Sequence, residues 1–186
     1  MKIVVFGEIL WDVFEDEKKI GGAPFNFAAH AAREGADVCL ISAVGNDPLG
    51  DKAMKACEKL NVPVECITRV EQQTGRCMVH LENGTPVYDL SGDMAYDHIT
   101  IPEDLCIDEG TTLYFGTLAQ RSSDSHDALR RLLDRRESFQ EVFLDINIRQ
   151  DYYSSELIEE SIAASTILKI SREEIGVLNI QGEPVD

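Results

Sequence analysis

The stretch from Gly21 to Gly45 decides the fold of this protein, and it reads Gly-Gly-Ala-Pro-Phe-Asn-Phe-Ala-Ala-His-Ala-Ala-Arg-Glu-Gly, then Ala-Asp-Val-Cys-Leu-Ile-Ser-Ala-Val-Gly. Pro24 suits the first turn of a helix, because its missing N–H would have no intrahelical partner there. Gly35 lies where a helix commonly ends in a residue with a positive φ angle. The apolar run up to Gly45 predicts a buried strand. The stretch therefore predicts a helix followed by a strand, with glycines at each boundary.

The predicted helix carries a single amide early in a run of small residues. The small residues let the helix lie close to a sheet, and they are Ala28, Ala29, Ala31 and Ala32. The amide belongs to Asn26, and its side chain can both donate and accept hydrogen bonds. Beside the bare backbone of Gly21 and Gly22, this amide suits a ligand that carries several hydroxyl groups.

The same stretch resembles the first signature of the ribokinase-like (PfkB) sugar kinase family. A glycine pair, an asparagine, a small residue and two further glycines at fixed spacing fall here on Gly21, Gly22, Asn26, Ala28, Gly35 and Gly45. The resemblance implies an α/β fold of three layers, a parallel sheet flanked by helices, with a small antiparallel β lid. It implies a fructokinase-like enzyme that uses ATP and Mg²⁺ to phosphorylate a primary hydroxyl of a sugar. It also implies a homodimer contact through the lid, as in many relatives.

Composition agrees with a globular domain and argues against two classes of partner. The chain has 186 residues, of which 44% are hydrophobic and 27% are charged, and this is typical of a folded domain with a core. The net charge of −17 disfavours nucleic acid and anionic membranes. The five cysteines are odd in number and show no C-x-x-C spacing, which predicts reduced, mostly buried thiols in a cytoplasmic protein.

Strands alternating with helices along the chain predict a parallel sheet with right-handed crossovers. Ligands bind such sheets at the carboxyl ends of the strands. One segment differs, because residues 76–82 alternate, Asn83-Gly84 predicts a hairpin turn, and residues 87–90 extend again. We expect residues 1–186 to be the amino-terminal part of one ribokinase-like domain, with lid strands at about 9–20 and 76–97. The charged run from Glu15 to Lys19 predicts an exposed turn.

A second polar group follows an apolar run near residue 145. A strand is predicted over residues 141–149, and a period of two places Asp145, Asn147 and Arg149 on one side of it. These three side chains suit a polyhydroxylated or phosphorylated ligand; the alternative is a structural pair between Asp145 and Arg149. The run is similar to the Asp-x-Asn-x-Arg segment of fructokinases. That similarity implies that Arg149 helps to hold the sugar and that Asn147 faces the path of the phosphate.

Two further segments gain a role from the resemblance. Residues 169–174 resemble the Lys-x-Asn-x-x-Glu segment of the family, with Ser171 in the position of the asparagine. Lys169, Ser171 and Glu174 would then face the magnesium and phosphates, the glutamate acting through water. The alternative is a serine that caps a helix whose first turn is acidic. Asp12 matches the family's aspartate that accepts two neighbouring sugar hydroxyls, and the alternative is a surface acid.

The family's catalytic base lies in a Gly-Ala-Gly-Asp segment that these 186 residues do not contain. We therefore expect a chain truncated before the carboxyl-terminal nucleotide-binding part, without catalytic residues of its own and inactive alone. A naturally short protein is the other possibility, and it would be a non-catalytic sugar-binding module. Within the family, the alternatives to a fructokinase are a 2-keto-3-deoxygluconate kinase and a nucleoside kinase.

Overall fold

The computed structural model describes residues 1–82, 85–90 and 92–178. The strands are β1 Lys2–Phe6, β2 Leu10–Val13, β3 Lys18–Gly21, β4 Asp37–Gly45, β5 Ile67–Val70, β6 Gly75–Glu82, β7 Thr85–Leu90, β8 Thr112–Gly116, β9 Glu141–Asp145 and β10 Ile167–Lys169. The helices are α1 Ala23–Arg33, α2 Pro48–Lys59, α3 Ser123–Leu133, α4 Ser155–Ala164 and α5 Arg172–Leu178. Short 3-10 turns include Ala95–Asp97 and Leu118–Arg121. The predicted turn at Asn83-Gly84 lies outside the described residues.

Six strands form a parallel sheet in the order β10-β9-β8-β1-β4-β5. Its centre is buried on both faces, as parallel sheets require. Ile3 and Val5 of β1 pack on the side of α1 and α2, while Val4 and Phe6 pack with residues of α3 and α4. The α/β fold with helices on both faces of a parallel sheet is therefore confirmed.

The stretch that decides the fold forms the elements predicted for it. α1 has Pro24 in its first turn, and Gly35 follows the helix with a φ angle of +86°. β4 then runs to Gly45 next to β1 in the middle of the sheet. The register that joins Ile3 to Val38 and Phe6 to Ile41 brings the end of β1 and the start of α1 to the same edge.

A second, smaller sheet has the strand order β3-β2-β6-β7. β2 and β3 are antiparallel, and so are β6 and β7, but β2 and β6 run parallel. The prediction of an antiparallel lid is therefore wrong for the sheet as a whole, which is mixed. The physical reason is that β2 follows β1 and β6 follows β5, so both strands leave the parallel sheet at its carboxyl edge in one direction.

Two local predictions also need correction. Lys18 and Lys19 are exposed as expected, but they belong to β3 rather than to a turn. The predicted strand over 141–149 ends at Asp145. Asn147 has a φ angle of +44°, which a strand does not tolerate, so alternation does not explain how Asn147 and Arg149 are placed.

The five cysteines are free, and their exposure is more varied than predicted. Two are buried, Cys57 and Cys77, two are intermediate, Cys39 and Cys66, and Cys106 is exposed. Among the described residues, no helix is long and apolar enough to cross a membrane.

Candidate functional site

A cleft of about 450 Å³ lies at the carboxyl edge of the parallel sheet, where the small sheet faces it. The large sheet contributes the last residues of β9 and β10 and residues that follow β1, β8 and β9, the start of α1 contributes two more, and the small sheet contributes residues of β2, β6 and β7. This is the edge at which open parallel sheets bind ligands. The lining consists of Glu8, Leu10, Asp12, Gly22, Ala23, Asn26, Cys77, Tyr88, Leu90, Leu118, Asp145, Asn147, Arg149 and Lys169.

The glycine pair forms a turn that leaves no room for side chains. Gly22 has a φ angle of +105°, and a Cβ atom there would lie 2.5 Å from the carbonyl oxygen of Glu8. A Cβ atom on Gly21 would lie 2.8 Å from Oδ2 of Asp12. Gly21 is therefore packed behind the Asp12 carboxylate, and the backbone of Gly22 is left open to the cleft.

Asp12 and Asn26 line the same cleft, although fourteen positions of chain separate them in the numbering. Asp12 projects from β2 and is half-buried, whereas Asn26 lies in the first turn of α1 and is exposed. Burial raises the pKa of Asp12, and the nearby Arg149 guanidinium opposes that rise. A carboxylate, an amide and a guanidinium thus meet around one space, which suits hydroxyl groups that donate and accept.

Glu8 also lines the cleft, although no motif in the sequence marks it. Its side chain is 2% exposed, and its Oε1 accepts the N–H of Ala23 over 3.1 Å. α1 has no capping side chain at Gly22, so Glu8 satisfies a free N–H at the start of that helix. Burial raises the pKa of Glu8 to about 7. The available signal was an acid placed directly after the apolar run of β1, in a position that would otherwise be core.

Asp145 pairs with Lys169 rather than with Arg149. Its Oδ1 lies 2.7 Å from the Lys169 Nζ, and its Oδ2 accepts the Tyr114 hydroxyl over 2.8 Å. The Arg149 guanidinium instead donates to the carbonyl of Ile148. The alternative of a structural pair between Asp145 and Arg149 is therefore wrong, because the partner of Asp145 is Lys169. Arg149 remains one of the residues that line the cleft.

Ser171 and Glu174 form a capping box at the start of α5. The Glu174 N–H donates to the Ser171 hydroxyl over 3.2 Å, and Oε2 of Glu174 accepts the Ser171 N–H over 2.8 Å. Oε1 of Glu174 accepts the N–H of Ile148 over 2.9 Å. Glu174 thereby fixes the backbone next to Asn147.

The structure brings together six of the nine predicted site residues, which are Asp12, Gly22, Asn26, Asn147, Arg149 and Lys169. Gly21 lies directly behind Asp12, and Ser171 and Glu174 lie outside the lining. Within the described ranges, no group of three or more histidine, cysteine, aspartate or glutamate side chains is arranged to hold a metal ion.

A parallel α/β sheet with a polar cleft at its carboxyl edge, faced by a small mixed sheet, is an arrangement typical of α/β proteins that bind small molecules at that edge. Comparison with known proteins identifies the family within that class. The model of the pfkB family of carbohydrate kinases matches residues 2–185. The chain therefore belongs to the pfkB carbohydrate kinase family.

Two curated relatives and one further solved structure illustrate the similarity. The chain is 32% identical to the sugar kinase PH1459 of Pyrococcus horikoshii, over 95% of this chain and 60% of that protein. The crystal structure of PH1459, described as an uncharacterized sugar kinase, matches with a TM-score of 0.86 over 96% of this chain and 68% of its own. PH1459 has also been crystallised in complex with ATP.

A fructokinase of Klebsiella pneumoniae is 27% identical over 96% of this chain and 62% of its own length. The apo fructokinase of Vibrio cholerae O395 has a TM-score of 0.82 at 20% identity, over 95% of this chain and 66% of its own, and this likeness concerns the fold. The chain spans about three fifths of the length of the two curated relatives.

Proposed function

We propose that this chain carries the sugar-binding part of a fructokinase-like kinase, which transfers the γ-phosphoryl group of ATP to a primary hydroxyl of a sugar. The observation that carries the proposal is the cleft in which Asp12, Asn26 and Arg149 meet beside the bare backbone of Gly22. Family membership supplies the reaction class, and the fructokinase relative supplies the preferred sugar. The expected compartment is the cytoplasm.

The sugar end of the cleft would be formed by Asp12, Gly21, Gly22, Asn26 and Arg149. The Asp12 carboxylate accepts hydrogen bonds from two neighbouring hydroxyls, while the Asn26 amide donates to one oxygen and accepts from another. The absence of side chains at the glycine pair lets the sugar ring approach the backbone. Arg149 donates to a further sugar oxygen and fixes the sugar's orientation.

The phosphate end would be formed by Asn147 and Lys169, with Ser171 and Glu174 behind them. Lys169 fits an anionic group, because its side chain is 61% exposed and its ammonium lies at the cleft. Each oxygen of Glu174 accepts one backbone N–H and keeps a lone pair that water can use. Magnesium-bound ATP, when present, supplies the phosphoryl group, and catalysis by such enzymes is chiefly positioning and charge stabilisation.

The proposal is tested by titrating the protein with fructose and following calorimetry together with the fluorescence of Trp11. Trp11 is the single tryptophan of the chain and precedes Asp12 in β2. We expect fructose to bind, and Asp12→Asn to weaken binding about 10- to 100-fold, as for loss of a charged hydrogen-bond acceptor. Asp16→Asn is the matched control, because Asp16 is exposed in the turn after β2. Equal binding by wild type and Asp12→Asn would refute the proposal.

The same titration separates the alternative substrates. 2-Keto-3-deoxygluconate and adenosine replace fructose in parallel experiments, and the tightest ligand assigns the substrate class. The intact mass of the natural protein decides between the kinase and the non-catalytic sugar-binding module, because a truncated kinase and a short module would both bind sugar without any effect of nucleotide. Since these 186 residues contain no Gly-Ala-Gly-Asp segment, we expect no sugar-dependent ATP consumption in a coupled assay of this chain.

A further inference from the structure

The loop that carries Asn147 and Arg149 is bound to the outer edge of the small sheet. The Gln150 side-chain amide donates to the carbonyl of Tyr88 over 2.8 Å, and the Tyr152 hydroxyl donates to the carbonyl of Leu90 over 2.8 Å. Carbonyls two residues apart on a strand point to the same side. Loop 147–152 therefore satisfies two successive outward carbonyls of β7.

The ring of Tyr152 is in turn stacked on a buried arginine. The guanidinium carbon of Arg121 lies 4.5 Å from the centre of the Tyr152 ring and 4.8 Å from the centre of the Tyr96 ring. Both distances are within the range of cation–π interactions. Arg121 also makes a two-pronged contact with Asp97, Nε to Oδ1 at 2.8 Å and Nη2 to Oδ2 at 2.7 Å. The side chains of Arg121 and Asp97 are 6% and 5% exposed, so the stack is held rigidly.

The other end of the stack touches the small sheet at a second strand. Tyr96 is fully buried, and a Cβ atom on Gly75, the first residue of β6, would lie 2.7 Å from its ring. The stack of Tyr96, Arg121 and Tyr152 thus extends from β6 to the loop that binds β7. Arg121 itself follows β8 of the large sheet, so the stack connects both sheets and the loop.

We propose that Arg121 and Tyr152 are positioning residues that hold loop 147–152 and the small sheet in one arrangement, so that Arg149 and Asp12 face the ligand together. Neither Arg121 nor Tyr152 lines the cleft, and they act on the ligand through Arg149. The identity of the ligand as a sugar rests on the proposed function, whereas the attachment of the loop to the small sheet does not.

The attachment is tested in the ligand-free protein by Tyr152→Phe. This variant keeps the ring on Arg121 and removes the hydrogen bond to Leu90. Tyr153→Phe is the matched control, because no hydrogen bond of the Tyr153 hydroxyl is found among the described residues. We expect amide hydrogens of segment 85–90 and loop 147–152 to exchange several-fold faster in Tyr152→Phe, with β1 and β8 unchanged. Exchange equal to that of Tyr153→Phe would overturn the proposal.

The route through Arg149 is tested by fructose affinity in a double-mutant cycle. Tyr152→Phe should weaken fructose binding about 3- to 10-fold, as for loss of one neutral hydrogen bond. If Tyr152 acts through Arg149, the same change should have little effect in an Arg149→Met background. Additive effects, or no loss in the single variant, would overturn the positioning role. A wild type that binds no sugar counts against the proposed function, and the exchange experiment then decides the attachment by itself.

Discussion

The ammonium of Lys169 lies 2.7 Å from Oδ1 of Asp145, and the two residues end neighbouring parallel strands in register. The pair is unequal, because the Lys169 side chain is 61% exposed and that of Asp145 is 8% exposed. The second oxygen of Asp145 accepts the buried Tyr114 hydroxyl over 2.8 Å. One carboxylate therefore has an exposed charged partner and a buried neutral one.

The two partners of Asp145 should differ in what they contribute to stability. Lys169→Met should lower the free energy of unfolding by less than about 1 kcal/mol, since the 61% exposed ammonium lies in water, which can replace it as a partner of Asp145. Tyr114→Phe keeps the ring that stacks on Phe27 but removes a buried donor, and should cost about 1–3 kcal/mol. Urea denaturation of both variants measures the difference. A larger loss for Lys169→Met than for Tyr114→Phe would contradict this assignment.

Two glycines with positive φ angles provide a matched test of the turn before α1. At Gly22 a Cβ atom would lie 2.5 Å from a backbone oxygen, whereas at Gly35 no atom lies within 4 Å. Gly35→Ala should cost about 1–2 kcal/mol from backbone strain alone. Gly22→Ala adds a steric clash with Glu8 and should cost more, as well as abolish fructose binding. Chemical denaturation and calorimetry check both, and equal losses would argue against the clash.

The elements of the large sheet were predictable because each has its own local signal. Pro24 and Gly35 mark the two ends of α1. The apolar runs that become β1, β4 and β8 are each continuous and are followed by turn or loop residues. The pairing of β2 with β6 was not predictable, because it joins segments more than sixty positions apart and no local pattern encodes strand direction. The mixed small sheet follows from where both strands leave the large sheet.

Two residues of the candidate site were predicted from strand alternation, which the structure does not show at these positions. Asn147 and Arg149 do line the cleft with Asp145, but the positive φ angle of Asn147 places them there rather than strand alternation. Glu8 was missed because a single acid after an apolar run has no spacing to mark it. Its partner, the N–H of Ala23, becomes visible only when α1 packs against the end of β1.

Glu8 should make stability depend on pH in a predictable direction. Its pKa is raised from 4.5 to about 7 in the folded protein, so the stability that it contributes is present below pH 4.5 and is lost as the pH rises through 7. Glu8→Gln keeps an acceptor for Ala23 and removes the titration. The unfolding free energy of the variant relative to wild type should therefore rise by about 3 kcal/mol between pH 4 and 8.

Denaturation of both proteins at several pH values measures this change, and the difference between them cancels most other titrating groups. Glu15→Gln serves as a control, since Glu15 is an exposed acid in the turn between β2 and β3. A constant difference between Glu8→Gln and wild type across the range would contradict the buried, titrating carboxylate.

The homodimer implied by the family resemblance has a specific test on the small sheet. Cys77 of β6 faces the cleft, so its neighbour Met78 points to the opposite face, where it is 42% exposed. We propose that this outer face contacts a second copy of the chain, and Met78→Asp should then yield monomers in sedimentation experiments. Leu60→Asp is the control, because Leu60 is similarly exposed at 40% but follows α2. Identical sedimentation of wild type and Met78→Asp would exclude this face.

The charge of Arg149 should set the pH at which Asp12 can bind a sugar. Burial raises the pKa of Asp12 and Arg149 lowers it, so Arg149→Met should raise this pKa further. Because the ionised carboxylate is the acceptor for sugar hydroxyls, fructose affinity falls as the pH drops through the pKa of Asp12. We therefore expect this acid limb to move to higher pH in Arg149→Met, in addition to the affinity lost with the guanidinium itself.

Arg33→Met removes an equal charge at the far end of α1, where the side chain is 69% exposed, and should leave the limb in place. An acid limb at the same pH in wild type and Arg149→Met would show that the two side chains do not share the site electrostatically.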